Sequence, residues 1–496
     1  MKKVVIIGAG PAGITAGLEL LRRAKKEYKV TILEAEGRLG GISATVNHNG
    51  NLMDLGGHRF FSKEQRVNEW WESILKLQDG KTSESENKVM LRRRRVSRIY
   101  FDRKFYDYPI SLKMQTLKNM GVKRTLKAGF SYVGANIHKK EESSLENFYI
   151  NRFGKVLYSM FFEGYTEKLW GRHPREISAD WGAQRVKGIS ISEVLKNAAG
   201  KLVNKKTSNE SSLIDEFKYP KFGPGQLWET AAEEFRSLGG EIILNAEVNS
   251  IKLENGNIKS VKAGGKEFDG DIFISSMPVK DLIADMGEAV PESIRKIASD
   301  LPYRDFVTVG LLVDRLAIKN ETDIKTLNNI VPDCWIYDQD NSVKLGRIQV
   351  FNNWSPYLVK DAENTVWIGL EYFCREGDGF WNLSESDCVS LAVSELEKIG
   401  VIDTDTTILD SHREKVKKAY PAYFDSYKDL PQVIEYLNKI DNLYCVGRNG
   451  QHRYNNMDHS MMTAFLTVDG ILSGNADKSA IWQVNTDREY HEEKSN

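Results

Sequence analysis

Gly8, Gly10 and Gly13 stand between an apolar β-branched run and a helical pattern, and Glu34 follows Gly13 by 21 residues. From Val4 to Gly17 the chain reads VVIIGAGPAGITAG. This residue pattern suits a pyrophosphate. Gly8 permits a tight turn, Gly10 lets backbone N–H groups approach the phosphates, and Gly13 lets the helix lie close to the strand. The helix N-terminus directs its partial positive charge at the same place. Thr31 to Glu34 reads as a second strand ending in a carboxylate that can accept from a ribose hydroxyl. A lone glycine fingerprint is weak, but strand, glycines, helix, strand and acid in register point to a bound dinucleotide.

Just past Glu34, Gly37 to Gly41 (GRLGG) gives a loop whose backbone can lie against a cofactor, with Arg38 able to reach a phosphate. With Gly8 to Glu34, the pair Gly40-Gly41 behind Arg38 resembles the GRxGG signature of FAD enzymes. Leu443 to Arg448 (LYCVGR) resembles their second flavin-contact segment, through Gly447 and Arg448. FAD is therefore the expected cofactor. After Asp54 the chain reads GGHRFFS from Gly56 to Ser62. These glycines could bring backbone against a flavin ring with His58 beside it, or form a buried turn around a satisfied histidine.

The GGHxxFS string resembles the flavin-side loop of UDP-galactopyranose mutases, particularly the longer eukaryotic-type group, and further motifs follow in order. They are NRFG from Asn151, Tyr165 to Trp170, WGAQR ending at Arg185, FKYPKFGPG from Phe217 with Trp228 behind it, and Trp335 to Tyr337 ahead of Arg347. Ala419 to Pro421 and GRNGQHRYNNMDHS from Gly447 to Ser460 complete the series. The resemblance implies that Arg185 and Arg347 clamp a sugar-nucleotide diphosphate, with Tyr420 and Tyr454 adding hydroxyl donors. It implies aromatic contacts from Trp170, Trp335 and Tyr337. It places Gly57, His58, Val248, Arg448, Met457 and Asp458 at the cofactor. Chemically, planar guanidinium forks from distant segments suit a diphosphate, although a single arginine is more often a structural salt bridge. Met461, Ala464, Phe465, Val468 and Ile471 give the last helix an apolar face, with Asp458 as the expected N-cap. Its N-terminus would stabilise negative charge on reduced flavin.

The activity implied is a non-redox nucleotide-sugar mutase that interconverts pyranose and furanose forms. Reduced FAD, the active form, would attack the anomeric carbon through N5 to give a flavin iminium intermediate. Of the side chains, His58, Arg185 and Arg347 would support catalysis. NAD(P)H could serve as external reductant. Three departures bear on the substrate: Thr166 stands where the family has Asn, Ser111 stands where a base-contacting Gln is expected, and the interval from Tyr454 to Asp458 is two residues short. Diphosphate contacts are kept while base contacts differ, so base and sugar need not be uridine and galactose. One rival is an FAD-dependent oxidoreductase of the amine oxidase or protoporphyrinogen oxidase type, acting by hydride transfer, or a related desaturase. Another is a non-catalytic flavin subunit of a surface-polysaccharide assembly.

The elements that must hold these residues are interleaved. The expected fold is α/β. A Rossmann-like FAD-binding domain is assembled from residues 1–90, 205–300 and 435–480, and residues 110–204 form an inserted helical substrate or lid domain. An antiparallel β-sheet substrate domain takes residues 91–109 and 301–434, and 481–496 form a tail. Lys88 to Tyr108 reads as paired strands, Glu241 to Ile251 as one strand, and Asn204 to Ser212 as a linker.

Bulk composition bounds the partners. The 496 residues are 41% hydrophobic and 28% charged, as in a globular protein with a large core. Lys+Arg and Asp+Glu both number 69, so no global field for nucleic acid is implied. The Arg92 to Arg95 run fits a solvated strand better than a nucleic-acid patch. The four cysteines lack CxxC spacing, which argues for reduced thiols and no metal. No run reaches the roughly 18 apolar residues of a membrane span, and the first strand begins too early for a signal peptide. The expected compartment is the cytoplasm, and an oligomer is allowed.

Overall fold

The computed structural model describes residues 1–78, 86–108, 110, 114–179, 216–475 and 477–485. The apolar run after Lys3 forms the strand Lys2–Ile7, the centre of a five-stranded parallel sheet. Across that sheet the order is Glu241–Ile243, Tyr28–Leu33, Lys2–Ile7, Ile272–Ser275 and Leu443–Cys445. These strands come from the start, middle and end of the chain, so the Rossmann-like unit is discontinuous, in an α/β fold. Being parallel, the sheet must be covered on both faces. The helix Pro11–Ala24 covers one face with Ile14, Leu18 and Leu21. Against it pack the helices Pro224–Ser237 and Met457–Ser473. The other face is covered by Val279–Met286 and Leu430–Asn438.

The stretch expected as one strand from Glu241 divides. Asn245 adopts φ +53°, a left-handed conformation that Asn tolerates better than most residues, and turns the chain out of the parallel sheet. Val248–Glu254 then starts an antiparallel sheet with Asn257–Ala263 and Lys266–Asp269. Lys88 to Tyr108 also divides. Val89–Arg94 joins a small sheet with Lys76–Leu77 and Glu216–Pro220, while Ser97–Phe101 pairs with Lys104–Asp107.

A seven-stranded sheet lies beyond. Its order is Ile408–Pro421, Tyr303–Val313, Val366–Cys374, Arg347–Val350, Trp335–Asp338, Ser97–Phe101 and Lys104–Asp107. It is antiparallel except where Trp335–Asp338 runs parallel to Ser97–Phe101. Strand alternation sorts its residues. Val307, Val309, Leu311, Ile348, Ile368 and Leu370 face a core closed by the helix Glu385–Ile399. The opposite face carries a cross-strand row in register: Tyr337 beside Arg347, Arg347 beside Glu371, and Glu371 beside Thr308. Helices Met114–Ile137, Leu145–Tyr158 and Gly164–Trp170 cover the edge of this face. The linker candidate Asn204 to Ser212 lies outside the described residues. Among the described residues, no helix is long and apolar enough to cross a membrane, and no group of His, Cys, Asp and Glu could hold a metal.

Asp54 ties two of these units together. It ends the hairpin Thr45–His48/Asn51–Asp54, and accepts from the Tyr219 hydroxyl and from Thr45 Oγ1 at 2.9 Å. Burial pushes its carboxyl up to about 7, against the pull of both hydroxyls. The folded state therefore keeps a proton that the unfolded chain releases near its ordinary value of 3.8. This stabilisation is present at low pH and is lost as pH rises to about 7. Measured by urea denaturation, the stability of the wild type relative to Asp54→Asn should fall over that range, by on the order of a few kcal/mol. A difference that stays constant with pH would refute the assignment.

Candidate functional site

The first half of the site is made of backbone. Gly8 takes φ +100°, and its N–H donates to Leu33 O at 2.8 Å. A Cβ on Gly13 would fall 1.9 Å from Gly8 O, so helix and turn can meet only through glycine. At Gly10 the situation is reversed. The nearest obstacle to a Cβ is the Gly41 Cα at 4.0 Å, so two glycine backbones face each other across open space. Such a groove at the N-terminus of Pro11–Ala24 suits phosphates. Gly40 takes φ +95° and its N–H donates to Ala9 O at 2.9 Å, which docks the second loop on the first.

Glu34 is buried beside this turn. Its Oε2 accepts from Ala9 N at 2.7 Å and its Oε1 from Glu36 N at 2.9 Å. Burial raises its pKa, and these N–H groups oppose the rise. Val248 begins its strand two residues after Ala246, whose N–H donates to Glu34 O at 2.8 Å. Arg38 is engaged by carboxylates, Glu36 at 3.0 Å and Glu414 at 3.0 Å. Gly447 takes φ +74°, with Ala12 Cβ only 3.0 Å from where its own Cβ would stand.

The Gly56–His58 loop joins the two halves. Gly56 takes φ +89°, and the space where its Cβ would be faces His58 Cε1 at 3.6 Å, Phe306 Cζ at 3.8 Å and Glu371 Oε1 at 4.0 Å. A Cβ on Gly57 would lie 2.1 Å from the Trp335 ring. His58 Nδ1 lies 3.0 Å from Gly56 O. The ring sits in a recess walled by protein, and that burial, with the nearby Arg448 charge, lowers its pKa to about 3. It is neutral at physiological pH. Behind the loop, Ser62 Oγ donates to Asp458 Oδ2 at 3.0 Å. The N-cap of Met457–Ser473 is Asn456, which forms a reciprocal capping box with His459. Asp458 instead sits in the first turn and holds the loop, so its expected capping role is corrected.

The second half centres on Arg347. Its Nε donates to the Tyr165 hydroxyl, and its Nη1 to Glu371 Oε2 at 3.1 Å and to the Tyr420 hydroxyl at 3.1 Å. Nη2 makes no hydrogen bond with any described residue. The guanidinium lies 5.1 Å from the Trp335 ring centre, 5.8 Å from Tyr337 and 4.9 Å from Phe373. Burial disfavours its charge, but the facing Tyr165, Tyr420 and Glu371 hold it firmly protonated. Burial raises the Glu371 pKa while Arg347 lowers it. Two pairs of rings flank the cluster: Trp335 on Tyr337 at 5.9 Å and 6°, and Tyr420 on Tyr454 at 5.7 Å and 14°. Tyr108 stacks on Tyr337 at 4.3 Å. Arg448 lies 4.4 Å from the Tyr454 ring centre and donates to Ala419 O at 3.0 Å and Asn455 O at 2.8 Å.

The expected residues are thus only partly gathered. Arg347, Trp335, Tyr337, Tyr420 and Tyr454 share one aromatic site next to Gly57 and His58. Trp170 shares a helix with Tyr165 but is 1% exposed and packs edge-on against Phe424. Arg185 and its WGAQR motif lie outside the described residues. Sequence reading passed over Glu371 altogether. Its signal was present, a lone carboxylate within the apolar strand VWIGLEYFC. Tyr165 appeared only inside a motif, without a role.

A family model described as flavin containing amine oxidoreductase matches residues 11–455. The structure resembles a crystal structure of reduced UDP-galactopyranose mutase, with a TM-score of 0.79 at 20% identity over 97% of this chain and 96% of that one. A protein provisionally assigned as a protoporphyrinogen oxidase, from Exiguobacterium sp. 255-15, gives 0.68 at 16% identity, covering 95% of this chain and 99% of its own. Wild-type putrescine oxidase bound to putrescine gives 0.57 at 16% identity, over 95% and 99%. These likenesses show the fold, and the family implies a bound flavin. The open groove between Gly10 and Gly41 fits the phosphates of such a group.

The Gly57 geometry gives a direct check. Gly57→Ala must displace the Trp335 ring or the loop, and the ratio of flavin to protein absorbance after purification should fall clearly below wild type. Full flavin retention would show that this loop does not border the cofactor.

Proposed function

The chain belongs to the flavin-containing amine oxidoreductase family, and within it we propose an FAD-dependent nucleotide-sugar mutase that interconverts pyranose and furanose forms. The observation that carries this reading is the Arg347 cluster. A buried guanidinium is fixed on Nε and Nη1, leaves Nη2 without a described partner, and stands beside the Tyr420 hydroxyl and the stacked Tyr454 ring. That donor set suits the diphosphate of a nucleotide sugar. The match in fold to a UDP-galactopyranose mutase is in keeping with it.

Gly8, Gly10 and Gly13, with Gly40 and Gly41, would cradle the FAD pyrophosphate, and Glu34 would accept from its ribose. Val248, Arg38, Gly447, Arg448, Met457 and Asp458 would border the remainder. Reduced FAD would supply a nucleophilic ring nitrogen to the anomeric carbon, with NAD(P)H as the expected source of electrons. Neutral His58 would line the flavin side of Gly57 without adding charge. Arg347, Tyr420 and Tyr454, with Arg185 from outside the described residues, would hold the diphosphate as it leaves and as it returns. Trp335 and Tyr337 would offer their faces to the base or sugar, while Trp170 would pack the helix that carries Tyr165.

One observation favours a second reading, a hydride-transferring oxidoreductase of the amine oxidase or protoporphyrinogen oxidase type. Glu371 already neutralises Arg347, which reduces what this guanidinium offers a diphosphate. The two readings separate in one assay. The dithionite-reduced protein should isomerise at least one nucleotide sugar in a chromatographic panel. Turnover only with oxidised flavin, with peroxide formed, would select the second reading. Arg347→Ala should weaken nucleoside diphosphate binding by roughly 30-fold or more, because a buried charge contact is worth about 2–5 kcal/mol. Glu371→Gln, which removes the competing carboxylate, should tighten it. Unchanged nucleoside diphosphate binding in Arg347→Ala would remove the clamp.

A further inference from the structure

The helix Met114–Ile137 breaks at Gly121, which takes φ +75°, and the part after that break is built inside out. Its exposed residues include Val122 at 77%, Leu126 at 57%, Phe130 at 77%, Val133 at 54% and Ile137 at 70%. They account for most of the exposed large hydrophobic side chains of the described residues. Their spacing of four, four, three and four residues places them within an arc of about 80° on a helix. The side turned to the protein is small instead. Ala128 and Ala135 are buried, and Ser131 and Tyr132 lie against Gly154, where a Cβ would stand 2.7 Å from Tyr132 N. Close approach through Gly154 lets a face of small residues dock, and this turns the large apolar side chains outward.

The charges carried by the helix itself have one sign. Between Asp107 and Glu141 the sequence contains no Asp or Glu. Lys118, Lys123 and Lys127 are exposed, and none forms an ion pair with a described residue. Lys123 and Lys127 lie along one side of the apolar arc, and Lys139 and Lys140, followed by Glu141 and Glu142, stand past its end. Arg124 is held apart by Asp102 at 2.8 Å. A zero net charge for the whole chain conceals this local cationic border.

We propose that this helix docks the protein on the surface of an anionic lipid bilayer. Phe130, Val133 and Ile137 would enter the acyl boundary, and the lysines would meet the headgroups. A second copy fits less well. A two-fold contact through this stripe would bring the flanking lysines of both copies together, with no carboxylate on either helix to offset them. The helix would lie on the membrane and not span it, in keeping with its lysines and glycines.

The test uses the full chain with its flavin bound. Sedimentation with vesicles of phosphatidylcholine and phosphatidylglycerol should retain the protein, vesicles of phosphatidylcholine alone should not, and salt should weaken the binding. Phe130→Glu with Ile137→Glu should reduce binding by roughly tenfold or more, with flavin content and molar mass unchanged. Phe130→Ser alone should reduce it less, and Lys123→Ala with Lys127→Ala should abolish the preference for anionic lipid. Absence of binding to anionic vesicles overturns the proposal, as does binding that ignores these substitutions or lipid charge. An oligomer that Phe130→Glu dissociates, without vesicle binding, also overturns it and assigns the stripe to a second copy.

Discussion

A charged pair buried in the seven-stranded sheet constrains everything that packs on its aromatic face. Arg347 and Glu371 face each other in adjacent strands, both almost fully covered. Removing one partner from such a pair strands an uncompensated charge, at a cost of about 3–5 kcal/mol. The pair must therefore be satisfied on every side. Tyr165 arrives from the helical layer, Tyr420 from the edge strand, and Gln349 Nε2 donates to the other Glu371 oxygen at 3.1 Å. Each tie recruits an element. The helix Gly164–Trp170, the strand Ile408–Pro421 and the Gly56 loop all close on this point. The result is a cluster whose charge is organised before any ligand arrives.

The glycine turns obey a different constraint, one of close approach. Gly8, Gly13 and Gly57 stand where a Cβ would strike Ser276 Oγ, Gly8 O and the Trp335 ring. Gly10 and Gly41 stand where a Cβ would meet almost nothing. The first group lets protein pack on protein, and the second leaves room for something else. His58 and Trp335 link the two sides, because the loop that carries His58 lies on the ring that faces Arg347. The glycine loop and the Arg347 cluster thus share one wall.

The outward helix follows another logic. Most other large apolar side chains of the described residues face a core, whereas the part of Met114–Ile137 after Gly121 docks through alanine, serine and a facing glycine. Helix spacing alone reads such a stripe as core, because periodicity defines a face without saying which way it points. Gly154 sets the direction by accepting the opposite side.

Local chemistry made much of this protein legible in its sequence. The glycine turn, the strand before it and the acid at Glu34 lie within one βαβ unit, so short-range sterics determine them. The strands near both ends already implied a discontinuous nucleotide fold. Arg347, Tyr420 and Tyr454 were named from motifs, but their company was not, since a cross-strand row depends on register between segments far apart in the chain. Glu371 escaped for that reason, appearing in sequence as an odd acid within an apolar strand. Arg38 and Asp458 were identified as residues of interest, yet Glu414 and Ser62, distant partners, decide what they touch. The sequence by itself determined which residues could do chemistry and the local turns that present them. Tertiary structure alone decided which of them meet, because burial and pairing of charge are set by neighbours that the chain brings together only on folding.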